Sequence, residues 1–129
     1  MCERRLSSSN GRLVAFYRPE ASSGGGDVWL EDLTRRVVTR LTSHNAYNWI
    51  PVWSPDGNSI VFASNREGRM DLYQKPINGS EPERQILKSA KRKIPTDWSR
   101  DGHFILFQQE DPNSKWDLWA LPVAGDQQQ

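Results

Sequence analysis

One pattern occurs three times along the chain, and it leaves few folds open. In its fullest form it is Trp53-Ser54-Pro55-Asp56-Gly57, then the apolar run Ile60-Val61-Phe62-Ala63, then Asp71-Leu72-Tyr73. Downstream it returns as Trp98-Ser99-Arg100-Asp101-Gly102, Phe104-Ile105-Leu106-Phe107 and Asp117-Leu118-Trp119. Upstream a worn copy reads Ser8-Ser9-Asn10-Gly11, Leu13-Val14-Ala15-Phe16 and Asp27-Val28-Trp29. Proline fixes φ at the first central turn position, Asp tolerates the next, and Gly takes the left-handed position that closes a bulged hairpin. Each copy therefore reads as strand, tight turn, strand, gap and strand. The turn glycines Gly11, Gly57 and Gly102 lie 46 and 45 positions apart. That is the length of one four-stranded propeller blade and too long for ankyrin or leucine-rich units.

The expected fold class is all-β: about three four-stranded antiparallel blades of a β-propeller, incomplete as a ring. The first blade spans about residues 3–41, the second about 47–87 and the third about 94–124, the last without its outer strand. Leu13 to Tyr17 is apolar at nearly every position, as suits a strand covered on both sides. Pro19 to Gly26 reads as a loop whose Ser22-Ser23-Gly24-Gly25-Gly26 tip absorbs substitution. A phosphate-binding loop would need a following Gly-Lys-Ser/Thr and a helix. Asn78-Gly79 is a strong hairpin signal, and as Asn78-Gly79-Ser80 it also matches a glycosylation sequon, read here as a turn.

Two connections between blades carry the candidate recognition residues. Loops that join the outer strand of one blade to the inner strand of the next lie near the channel mouth. The first supplies His44, Tyr47 and Trp49, although Trp49 and Trp53 could equally be wedges between blades. The second is the basic run Lys88-Ser89-Ala90-Lys91-Arg92-Lys93, read as a solvated loop that offers Lys91, Arg92 and Lys93 to a partner. A nucleic-acid surface would interleave basic and aromatic residues over a wider patch, and charged residues at 26% give a net charge of only +1. The expected partner is a protein or peptide, with no nucleic acid and no membrane insertion.

The sequence carries no recognised catalytic or metal-binding pattern. His44 and His103 are the two histidines, in neither a metal spacing nor a nucleophile-elbow setting. Asp56 and Asp101, and likewise Asp27, Asp71 and Asp117, recur at fixed offsets, which points to a job that every blade needs rather than to a unique site. The chain is expected to be no enzyme and to use no cofactor or metal. Cys2 is the single cysteine, which excludes an internal disulfide. No signal peptide is evident in residues 1–6, so the compartment stays open.

The run from Trp53-Ser54-Pro55-Asp56-Gly57 through Ser64-Asn65-Arg66 to Asp71-Leu72-Tyr73 resembles the TolB-type propeller repeat of bacteria, and the resemblance spans almost the whole chain. The third copy departs in having Arg100 for proline, and the first keeps only the glycine, the apolar strand and Asp27-Val28-Trp29. The resemblance implies a non-enzymatic binding module, periplasmic if a leader lies upstream. The alternative it allows is the accessory or sensor propeller of a prolyl-oligopeptidase-like hydrolase or of a bacterial serine/threonine kinase. Propellers of this type usually have six blades, so three imply open ends with apolar faces, and a homodimer would complete the ring.

Overall fold

A computed structural model describes residues 12–20, 25–42, 46–79, 81–87, 91–113 and 115–123, and the backbone of 3–7. Its described residues form three antiparallel sheets and no helix. The first sheet runs β1 (Glu3–Ser7), β2 (Leu13–Pro19), β3 (Gly26–Asp32) and β4 (Val37–Arg40), paired in chain order. The second is β5 (Asn48–Trp53), β6 (Ser59–Ser64), β7 (Asp71–Pro76) and β8 (Arg84–Leu87). In the third, β9 (Lys93–Trp98), β10 (Phe104–Asp111) and β11 (Lys115–Pro122) pair in order, and no strand follows among the described residues. These are propeller blades, each an up-and-down meander from an inner to an outer strand.

The repeated turn explains why the first hairpin of the second and of the third blade forms. Gly57 and Gly102 have φ of 76° and 81°, the left-handed conformation in which a Cβ is penalised. In the second blade Asp56 Oδ1 accepts from the Ser54 hydroxyl (2.6 Å) and the Asn58 N–H (2.9 Å), and Ser54 Oγ accepts from the Ser59 N–H (3.1 Å). The third blade repeats these bonds through Ser99, Asp101, His103 and Phe104 at 2.7, 2.9 and 3.0 Å. Proline is therefore dispensable, since Arg100 replaces Pro55 without changing the network. Hydrogen bonds hold both carboxyls below the usual aspartate range, chiefly that from the Ser54 hydroxyl for Asp56 and that from the His103 N–H for Asp101.

The apolar core lies between sheets. Ala15, Val28 and Leu30 of the first blade meet Trp53, Ile60, Phe62 and Tyr73 of the second. Val52, Val61 and Leu72 then meet Trp98, Ile105 and Phe107 of the third. With a blade on either side, β6 is buried along its whole length, whereas β4 is exposed throughout.

A recurring acid fastens each of these joints. Asp27 and Asp71 occupy the same register, each opposite the residue two places beyond the central phenylalanine, Phe16 or Phe62. Asp27 Oδ1 accepts from the Thr42 hydroxyl (2.7 Å) and from Asn48 Nδ2 (3.1 Å), and its Oδ2 pairs with Arg40 at 2.7 Å. Asp71 Oδ1 takes the Lys93 ammonium at 2.5 Å. Asn48 and Lys93 are each the first residue of the next inner strand, so the repeated acid ties one blade to the next.

Three expectations require correction. Lys93 does not belong to a solvated loop: it opens β9 and is 0% exposed, held by Asp71 and by the Lys91 carbonyl. Gly25 and Gly26 are not a permissive loop tip. A Cβ on Gly25 would lie 2.6 Å from the Ala46 carbonyl oxygen, and one on Gly26 would strike the Tyr17 ring. The third expectation was a bare apolar face at each end. It holds for the third blade, where Phe104 and Leu118, which share the face turned away from the second blade, are exposed, but in the first blade Phe16 is buried and the Arg18 guanidinium covers Trp29 at 4.3 Å.

Candidate partner-binding site

In an up-and-down blade the start of the inner strand and the turn between the second and third strands fall at the same end. There β5 begins, and Tyr47 is locked from both sides. Its N–H donates to Asn65 Oδ1 (2.9 Å), its carbonyl accepts from the Asn65 N–H (3.3 Å), and Tyr47 bridges to Gly26 in the first blade. The missing side chain at Gly26 is what admits Tyr17 close to this bridge. Trp49 then meets Tyr17 with ring centroids 6.5 Å apart and planes tilted by 58°. Just beyond, a one-residue bulge separates Trp49 from Val52, and Ile50 sits at φ 56°, a conformation costly for a β-branched residue. The bulge shifts the pairing of β5 immediately after Trp49.

These residues enclose a cavity of about 530 Å³. Tyr17 comes from the first blade; Tyr47, Trp49, Asn65, Gly68, Arg69 and Met70 from the second; and Arg92 from the connection to the third. The lining combines three aromatic rings with two arginines. Burial pushes the Tyr17 phenol above its ordinary value, with the negative charge that Tyr47 and Asp27 can carry adding to the effect, so it stays a neutral hydroxyl. Arg92 is half exposed, 3.9 Å from Glu110 and 5.9 Å from the Trp116 ring centroid. Such an arrangement suits a ligand with an apolar group for the rings and an anionic group for the guanidinium groups.

Below the cavity, Arg66 braces the turn. It donates to Asn48 Oδ1 (3.0 Å) and Ser64 Oγ (2.9 Å), pairs with Glu83 (2.5 Å) and lies 4.3 Å from the Tyr73 ring centroid. A guanidinium so fully engaged is a strut that fixes the 65–68 turn.

Of the six residues singled out in the sequence, the structure gathers Tyr47, Trp49 and Arg92 in this cavity. Lys91 is exposed, 3.8 Å from Asp111, and is not part of the wall. Lys93 is buried and His44 lies outside the described residues. Sequence reading missed Tyr17, Asn65, Arg69 and Met70. Aligning the blades in register and noting which turns share an end with the inner-strand starts would have found them.

The architecture and the repeat are shared with known proteins. Residues 7–129 match the family model described as the TolB beta propeller domain. The chain belongs to this family. It is 30% identical over 104 residues to the Tol-Pal system protein TolB of Francisella tularensis, covering 80% of this chain and 24% of that protein. Against Tricorn protease homolog 1 of Streptomyces coelicolor it is 28% identical over 123 residues, covering 94% of this chain and 11% of the relative. Among solved structures, the putative TolB of Agrobacterium tumefaciens superimposes with a TM-score of 0.84 at 24% identity, over 95% of this chain and 46% of that one. A prolyl endopeptidase superimposes with a TM-score of 0.71 at 16% identity, over 95% of this chain and 20% of that one. The chain thus spans less than half the length of each of these proteins, and its blades are related to those of TolB and of protease propellers alike.

Proposed function

We propose that this TolB-type propeller segment is a non-catalytic module that binds a protein or peptide in the cavity between Trp49 and Arg92. The observation that carries the proposal is the cavity itself: about 530 Å³, lined by the rings of Tyr17, Tyr47 and Trp49 and by Arg69 and Arg92, at the end where blades are joined. The ligand class that fits is an extended peptide with an aromatic or aliphatic side chain and a nearby carboxylate. By the likeness to TolB we further propose a periplasmic location.

The test is binding of fluorescent peptides that carry a C-terminal Phe or Leu, with amidated versions as controls. Binding that weakens at least tenfold in Trp49→Ala and in Arg92→Glu, and on amidation, supports the reading. Affinity unchanged in Trp49→Ala would overturn it.

A second reading follows from the match to the Tricorn protease homolog, which covers 94% of this chain. In it the chain is the propeller of a longer hydrolase, and the same cavity holds a substrate segment without cleaving it. The isolated chain has no peptidase activity under either reading. A neighbouring peptidase sequence in the same reading frame, with peptide bound at Trp49 being cleaved there, would select the second.

A further inference from the structure

The inner strands of the second and third blades differ at one place beside the cavity. Both carry a one-residue bulge next to the central phenylalanine of the strand they pair with, and Ile50 and Pro95 are each the third residue of their strand. In β9 the bulge forms with Pro95 still opposite Phe107, and a proline ring holds φ at about −65°. In β5 the register passes from Trp49 opposite Ala63 to Val52 opposite Val61, which leaves Ile50 and Pro51 together across from Phe62, and Ile50 takes φ of 56°. Left-handed backbone is costly for a β-branched residue, and the Pro51 ring pushes the residue before it towards extended backbone. The repeat itself does not require that strain, because the third blade forms its bulge without it. Trp49 shows what the strain serves. Its partner Ala63 stands opposite Leu72, so by alternation Trp49 belongs to the face that Val61 and Leu72 turn towards the third blade. Its ring nonetheless lies beside Tyr17 of the first blade, with centroids 6.5 Å apart, and lines the cavity.

We infer that Ile50 is a positioning residue for the binding site: its left-handed backbone re-aims Trp49 from the face of the third blade to the ring of Tyr17. The inference rests on the reading of the cavity as a peptide site. Bulges redirect side chains, and backbone held in a sparsely populated conformation persists only where the surrounding contacts over-determine it. Those contacts flank Ile50 on both sides. Before it stands the Trp49–Tyr17 pair, and after it Val52 and Trp53 are buried in the two core clusters, one on each face of the blade. The backbone between these two anchors takes the conformation that satisfies both. In the third blade the residue at the place of Trp49 is Ile94, followed by Pro95, so the same length of strand has no large ring to turn.

The experiment compares Ile50→Gly with Ile50→Ala, alone and in the Trp49→Ala background. Both remove the same branched side chain, so the difference between them reads the sign of φ. In an ordinary strand glycine is the less stable of the two, and at a left-handed position the order reverses. Ile50→Gly should therefore unfold at a higher denaturant midpoint than Ile50→Ala. With Trp49→Ala in place the ordinary order should return, because the ring that holds the backbone left-handed is gone. Glycine below alanine in the native background, or the same order with and without Trp49, would overturn the inference. A second variant, Ile50→Pro with Pro51→Thr, copies the Pro95-Thr96 of the third blade and imposes negative φ. It should weaken binding of the fluorescent C-terminal Phe or Leu peptides by about tenfold, as loss of a central tryptophan contact does. The contribution of Trp49 to near-ultraviolet circular dichroism, read as the difference from the matching Trp49→Phe variant, should change with it. A folded double variant with unchanged affinity and an unchanged Trp49 signal would overturn the inference, and one that fails to fold leaves the decision to the glycine and alanine pair. Peptides that do not bind the original chain count against the reading of the cavity, whereas the stability comparison decides the role of Ile50 without any ligand.

Discussion

Asp71 and Lys93 meet at 2.5 Å across the boundary between the second and third blades, with side chains 3% and 0% exposed. Two charges withdrawn from water at this contact depend on each other. Removal of either leaves the other desolvated and uncompensated, whereas removal of both leaves a small apolar gap.

Lys93→Met and Asp71→Leu should therefore each destabilise the fold by about 3–5 kcal/mol. Lys93→Met combined with Asp71→Leu should recover most of that loss, because the joint is also held by Leu72, Ile105 and Phe107. Denaturant midpoints for the two single variants and the double variant check this. Additive losses would show that the pair is not the coupling element.

Gly57→Val and Gly102→Val should cost about 1–3 kcal/mol each, since both positions have positive φ that a β-branched residue resists. Gly25→Val should be at least as damaging, for a different reason: its Cβ has no room beside the Ala46 carbonyl. Gly79→Ala is the informative contrast to Gly25→Val, because Gly79, like Gly102, has positive φ and open space around it, so its cost comes from backbone conformation alone. Thermal melts of the four variants separate steric from conformational cost.

Stability should fall as the solution is acidified below about pH 4, the ordinary aspartate range. The folded carboxyls of Asp56 and Asp101 are depressed by the hydrogen bonds they accept in the repeated turns, and that of Asp32 by the bonds from Arg12. A depressed group contributes stability that is complete above its unfolded pKa and is lost as pH falls through the folded value. Asp56→Asn should flatten the acid limb of a plot of stability against pH by lowering the neutral plateau towards the acid value. An unchanged acid limb in Asp56→Asn with Asp101→Asn would show that the turns do not carry the effect.

In the alkaline range, Tyr17 and Tyr73 should ionise above the usual value near pH 10, both raised chiefly by burial. An ultraviolet titration of the phenols would show late steps, and Tyr17→Phe should remove one of them. Loss of an early step instead would mean that Tyr17 is open to solvent rather than walled in beside Trp49.

The fold was legible because it is periodic. A turn glycine every 45 or 46 residues and an apolar strand behind it specify blades without any long-range information. The site was only half legible. Tyr47 and Trp49 stand out as aromatics in a connection, but Tyr17 reads as one more core residue of an apolar strand, and Arg69 as one charge in a turn. Lys93 shows why charge alone misleads: within Lys91-Arg92-Lys93 the three side chains look alike, and only the alignment of Lys93 with Asn48 at the head of the strand assigns it to the interior. Likewise Gly25 shares its composition with a flexible tip, and only the neighbouring backbone at Ala46 reveals that its lack of a side chain is required.

The cavity takes its lining from the first two sheets and from the connection to the third, and those sheets pack on one another through their apolar faces. A small change in the angle between neighbouring blades therefore moves Tyr17 and Arg92 in relation to the central Trp49, widening or narrowing the opening as the spread of a fan alters the gap between its ribs. Whatever occupies the space selects an angle, and whatever fixes the angle at the outer rim of the array alters the fit at its hub.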